Sequence, residues 1–167
     1  MSRALAYTTC SELWEESGLS NDSLLLRALL KKARQHADEP VSLGWKRQLY
    51  DLAMEIGGEC SVAGWDGYDG APILQEAVIK TLKLISLLPD SAQPPHLVPS
   101  PEGYIAFEWH DPRKRVLSVS PKNDLLIWAS VLGIDDTRYG RSPARKGWPQ
   151  PVLDILTECF TSGRSIT

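Results

Sequence analysis

The sequence predicts an α+β fold in which helices come first, a three-stranded antiparallel meander follows, and one helix closes the chain. Three observations predict it. Apolar residues recur at helical spacing as far as Leu88, the period drops to two after Gly103, and helical spacing returns after Pro151. Helices and strands that come in separate runs, rather than alternating, segregate into α+β instead of building βαβ units. The chain has 167 residues, 43% of them hydrophobic and 23% charged, an ordinary globular balance. We expect residues 1–167 to form a single domain that buries on the order of 70% of its unfolded surface.

The first expected helix runs from Asn21 to His36. Asn21, Asp22 and Ser23 are good N-caps, Leu25, Leu26, Leu29, Leu30 and Ala33 form an apolar stripe, and Lys31, Lys32, Arg34 and His36 suit the negative helix end. A second helix, Ser42 to Ile56, carries Trp45, Leu49, Leu52, Ala53 and Ile56 on one face and is expected to stop at Gly57-Gly58. The two make an N-terminal helical hairpin. Pro72 is placed at the first position of a third helix reaching Leu88. Pro89 to Pro101 holds five prolines in thirteen residues and reads as a stiff extended connector. Ile105, Phe107 and Trp109 then alternate with Tyr104, Ala106, Glu108 and His110, as a strand with one buried face requires. Val116 to Ser120 and Leu125 to Val131 complete the meander, with turns at residues 111–114 and 121–124. The last helix, Pro151 to Phe160, offers Val152, Ile155, Leu156 and Phe160 to the core.

Composition narrows the function classes. Cys10, Cys60 and Cys159 are an odd number without a C-x-x-C pair, which argues against a disulfide framework. No signal peptide is evident at the N-terminus, and the apolar stretch near residues 125–132 falls short of the ~20 residues that span a bilayer. A cytoplasmic protein without membrane contact is expected. A net charge of −3 supplies no global field for nucleic acid.

Two segments could carry chemistry. In the glycine-rich loop Trp65 to Pro72, Asp66 and Asp69 either cap turns or form a carboxylate pair for a hard cation. Glu108 and His110, two apart on a strand, share a face, so Asp66, Asp69, Glu108 and His110 together would suit a metal-dependent hydrolase or nuclease. The bland readings are turn capping and a polar strand face. Under them Trp65, Tyr68, Pro72 and Trp109 are structural, with Trp65 and Trp109 buried and clamping the third helix against the meander. The second segment, residues 138–148, holds Arg138, Arg141, Arg145, Lys146 and Trp148 without an acid. It suits a partner surface or single-stranded nucleic acid, and equally an ordinary solvated loop. His36 and His96 are expected to face solvent. No phosphate loop, nucleophile elbow or zinc spacing occurs, and no cofactor is expected.

Trp65-Asp66-Gly67-Tyr68-Asp69-Gly70-Ala71-Pro72, the Leu88-Pro89 helix end, the proline-rich stretch and Gly103-Tyr104-Ile105-Ala106-Phe107-Glu108-Trp109 resemble an uncharacterised group of bacterial proteins. That group shows a W-D-G-Y-G-A-type loop followed by a G-x-I-x-x-E-W strand. The resemblance covers residues 62–130, with Asp69 inserted before Gly70. It implies no activity; it implies a bacterial accessory protein of the mobile-element or defence kind. With six tryptophans and no catalytic constellation, the leading expectation is a non-enzymatic protein-binding module whose partner the residues do not name.

Overall fold

The computed structural model describes residues 44–160; the expected helix from Asn21 to His36, and so the helical hairpin, lie outside them. The described elements are α1 (Gly44–Glu59), α2 (Gln75–Ser86), β1 (His96–Pro99), β2 (Ile105–His110), β3 (Val116–Lys122), β4 (Leu125–Val131), β5 (Thr137–Pro143), a 3-10 turn (Ala144–Lys146) and α3 (Gln150–Cys159). The α+β class stands, but the three-stranded meander is corrected to a five-stranded antiparallel sheet in the order β1-β2-β3-β4-β5.

Both additional strands sit where side-chain pattern could not announce them. β1 lies inside the proline-rich stretch, pairing His96 with Glu108 and Leu97 with Phe107. It is an edge strand, where a proline without an N–H is tolerated. β5 lies inside the basic segment and pairs all along β4, with Trp128 opposite Gly140. Its core-side positions are Arg138, Gly140 and Ser142, so no apolar alternation betrays it. Gly140 is required there because a Cβ would lie 2.7 Å from Cζ2 of Trp128; the indole covers the glycine and supplies the packing that the strand lacks.

One sheet face carries Leu97, Ile105, Phe107, Trp109, Leu117, Val119, Leu126 and Trp128, and these share a core with Leu49, Ala53 and Ile56 of α1, Leu82 and Ile85 of α2, and Val152, Ile155 and Leu156 of α3. The result is two layers, helices on one face of a twisted sheet. Phe107, Trp109 and Trp148 knit the layers: the Trp148 ring stands edge-on to Phe107 at 5.2 Å and to Trp109 at 5.9 Å, and its Nε1 donates to the Leu84 carbonyl at 2.9 Å. Lys46, which the apolar stripe of α1 did not include, is buried and donates through Nζ to the Leu88 carbonyl and the Asp90 carboxylate.

Two boundaries differ from expectation. Pro72 precedes α2 rather than opening it, and Leu74 takes the N-cap position without a side-chain cap. Gly57-Gly58 does not stop α1, which runs on to Glu59. Gly57 is there for close approach: a Cβ would meet Cγ2 of the buried Val78 at 2.5 Å. Valine is stiff at χ1 and cannot swing aside. Gly57→Ala should therefore destabilise by about 1–2 kcal/mol through overpacking, although alanine is the better helix former. A chemical-denaturation series checks it; a variant more stable than wild type would show that the α1–α2 contact yields freely.

Candidate binding surface

The loop after α1 closes on itself. Gly64 N donates to the Gly70 carbonyl at 2.8 Å, and Asp66 Oδ1 accepts from the backbone N–H groups of Tyr68 (3.0 Å) and Gly70 (3.1 Å). Trp65 Nε1 donates to the Ala71 carbonyl at 2.9 Å. Asp66 thus serves as a turn acceptor. Trp65 is half-buried against the core, Tyr68 is 85% exposed, and Asp69 is exposed.

Asp66, Asp69, Glu108 and His110 are not gathered into one site. Among the described residues no group of three or more His, Cys, Asp or Glu is disposed to hold a metal ion. Glu108 Oε2 instead meets His110 Nε2 at 3.1 Å, and the His96 and His110 rings lie 5.9 Å apart. His96 belongs to this group only because β1 pairs it with Glu108, which required recognising β1.

The basic segment divides. Trp148 is buried in the core. Arg138 is held by Asp136, with Nε and Nη2 each 2.9 Å from a carboxylate oxygen, and lies 3.6 Å from Glu158. Those acids stabilise its charged form and raise its pKa above the usual guanidinium value, the hydrogen bond donated to Asp136 first. Arg145 lines a cleft of about 230 Å³ with Ile79, Lys83, Leu84, Leu87 and Asp124, and Lys146 is exposed on the 3-10 turn. Arg141 alone of the five reaches the sheet's outer face, beside Ile127. A second cleft, of about 370 Å³, lies between α2 and the β3–β4 turn, lined by Pro72, Leu74, Lys80, Glu102, Tyr104 and Lys122 among others. Both clefts carry lysine and acidic side chains, Lys80 and Glu102 in the larger and Lys83 and Asp124 in the smaller.

The outer sheet face is the larger feature. The strand registers align His96, Glu108, Ser118, Ala129 and Tyr139 in one row across all five strands, flanked by the rows Ser120–Ile127–Arg141 and His110–Val116–Val131–Thr137. Ser118 and Ser120 of β3 and Ala129 of β4 are the small side chains in the middle of this face, with Val116 beside them on β3. Larger side chains stand at both margins, His96, Glu108 and His110 on one side and Ile127, Val131, Tyr139 and Arg141 on the other. In side-chain size these positions form a shallow trough, closed at the Val116 row. Val98, Ile127, Val131 and Tyr139 are 37%, 41%, 49% and 81% exposed, and the three described helices pack on the opposite face. Residue patterning places Glu108 and His110 on one strand face and Arg141 in the basic segment; it singles out neither Ile127 nor Val131, because β4 is apolar on both faces.

Among the described residues no helix is long and apolar enough to cross a membrane. Searches against protein-family models, curated proteins and solved structures find no match to this chain.

Proposed function

We propose that the protein is a non-enzymatic binding module that seats a protein partner in the trough on the outer face of its sheet, in the bacterial accessory setting that the loop and strand motifs imply. The observation that carries this reading is the exposed apolar margin of Ile127, Val131 and Tyr139 beside a floor of Ser118, Ser120 and Ala129. Exposed isoleucine, valine and tyrosine on one rigid face, with Arg141 among them, have the composition of an interface. Arg141 has no acid opposite it on β4, so the partner surface is apolar with a carboxylate near the β5 side. A nucleic-acid role is less well served, since Trp148 is in the core and Arg138 is occupied by Asp136 and Glu158.

A photo-crosslinking residue at Val131 tests it, with one at the exposed Glu55 of α1 as control. In a lysate of the native cells the Val131 probe should form one discrete adduct with another protein, and the Glu55 probe none. Ile127→Asp should abolish that adduct while leaving stability within about 0.5 kcal/mol of wild type, as surface substitutions do. Equal adducts from both probes would reject the surface. Salt-sensitive affinity for single-stranded nucleic acid, lost when Arg141, Arg145 and Lys146 are neutralised, would replace a protein partner with a nucleic acid.

A further inference from the structure

Pairing with β4 uses only half of the hydrogen-bonding groups of β5. The bonds Leu132 N to Asp136 O and Ala144 N to Asp124 O, each 2.8 Å, bracket the β4–β5 ladder. Bonded and non-bonded pairs alternate along antiparallel strands, so this bracket sets the phase. Arg138, Gly140 and Ser142 turn their N–H and C=O groups toward β4. Thr137, Tyr139 and Arg141 turn theirs outward. Two further observations agree: Ser130 Oγ donates to the Arg138 carbonyl at 3.3 Å, and Pro143, which has no N–H to offer β4, falls in the outward phase. Among the described residues β5 is the last strand of the sheet and nothing pairs with its outer edge.

The two edges are not alike. β1 has four residues and ends in Pro99, the short, proline-blunted form by which sheets avoid edge pairing. β5 has seven residues, is exposed along most of its length and holds proline only at its last position.

We propose that β5 pairs with β5 of a second copy of this chain, antiparallel about a two-fold axis at Gly140, so that two five-stranded sheets become one continuous sheet. In this register Tyr139 lies opposite Arg141 of the partner subunit on the outer face, and Arg141 opposite Tyr139 of the partner subunit. Each pair sets a guanidinium beside an aromatic ring. Arg138 faces Ser142 of the partner subunit, so no like charges oppose one another. Moving the axis to Arg138 or Arg141 would set arginine directly against arginine. Moving it to Tyr139 would give up both tyrosine–arginine pairs. Tyr139 and Arg141 exchange both backbone bonds, Thr137 donates to the Pro143 carbonyl, and Pro143 ends the ladder at each side because it cannot donate. The axis is perpendicular to the sheet, so the contact is isologous and closed. Both troughs then lie on the same face. The pairing does not depend on the partner proposed above.

Sedimentation of the full chain over a concentration series, with amide hydrogen exchange followed by NMR, tests the pairing. The mass should double reversibly as concentration rises. In the monomer the amides of Arg138, Gly140 and Ser142 are protected and those of Thr137, Tyr139 and Arg141 exchange freely. In the dimer the latter three slow by at least about tenfold. Arg141→Pro removes an outward N–H without touching the β4 ladder and should hold the protein monomeric at every concentration with its melting temperature unchanged. Should that variant fold poorly, Tyr139→Lys sets like charges opposite and should weaken dimerisation by at least about tenfold, while Tyr139→Glu should retain it. A chain that stays monomeric throughout overturns the proposal. So does a dimer indifferent to Tyr139→Lys, a doubled mass with free exchange at Tyr139 and Arg141, or protection of those amides already in the monomer.

Discussion

Trp109→Ala should destabilise the protein by about 3–5 kcal/mol, the usual cost of truncating a buried tryptophan and a large share of the roughly 5–15 kcal/mol that holds a domain folded. Trp109 is fully buried. Its ring is stacked with Phe107 at 6.3 Å and edge-on to Trp148 at 5.9 Å, so its removal unsupports two further aromatics. Its Nε1 donates to the Gln93 carbonyl at 2.8 Å, while Gln93 N donates to the Phe160 carbonyl at 2.7 Å. The same side chain therefore ties β2 to the approach to β1 and, through it, to the end of α3. Trp109→Phe separates the contributions: it keeps most of the ring packing, orphans the Gln93 carbonyl, and should cost about 1–3 kcal/mol. Urea unfolding with an unchanged dependence on denaturant checks both. A Trp109→Ala protein within about 0.5 kcal/mol of wild type would mean that the aromatic core does not carry the layers. Trp65 is a different case. Expected to clamp α2 to the sheet, it is only half-buried and satisfies its N–H within its own loop, so its truncation loosens that loop first.

The pattern of legibility follows the physics of burial. β4 was readable to the residue because the run is apolar throughout, β2 to within one residue because inward and outward positions differ in polarity, and α3 to within one residue from Val152, Ile155, Leu156 and Phe160. β5 was not, because the face it turns inward is covered by the ring of Trp128 rather than filled by its own side chains. β1 was hidden because a proline-rich stretch reads as extended connector, and a four-residue edge strand inside it leaves too little alternation to tell the two apart. The site suffered with them. Without β1, His96 has no neighbour and Val98 no sheet; without β5, Tyr139 and Arg141 look like loop residues, and the trough between them does not exist. Glu108 and His110 were correctly placed on one face, but their companions are His96 and Ser118 from adjacent strands, not Asp66 and Asp69 from a distant loop. Gly57 likewise reads as a helix stop until Val78 is seen against it.

The Asp111–Arg115 clamp should give this protein a specific acid sensitivity. The two residues bracket the β2–β3 turn. Asp111 Oδ1 accepts from Arg113 N (2.9 Å) and Arg115 N (3.1 Å), and Oδ2 accepts from Arg115 Nε at 2.7 Å and from Nη2. Arg115 Nη2 also donates to the Cys159 carbonyl at 3.0 Å, and the guanidinium carbon stands 5.8 Å from the centre of the Phe160 ring. One ion pair thus shapes the turn and fastens the end of α3 to it. The side chains are 21% and 9% exposed for Arg115 and Asp111, so water screens the pair only in part. Burial alone would push the Asp111 carboxyl up, but the side-chain and backbone hydrogen bonds from Arg115, with its charge, outweigh it and hold the carboxyl below its ordinary value. A carboxyl whose folded pKa is depressed contributes stability that is fully present above its unfolded pKa, about 3.9, and is lost as pH falls through the folded value. At pH 7, Asp111→Asn should cost about 1–3 kcal/mol, since it leaves a partly buried guanidinium without its counter-charge. Arg115→Lys should cost less, because it keeps the charge and loses the paired geometry. As pH falls below about 4 the wild-type protein should lose stability that the Asp111→Asn variant has already lost, so the two unfolding curves converge as acid is added. A stability difference that stays constant over that range would show that Asp111 acts through its backbone hydrogen bonds and shape, and that its charge contributes nothing to holding α3 in place.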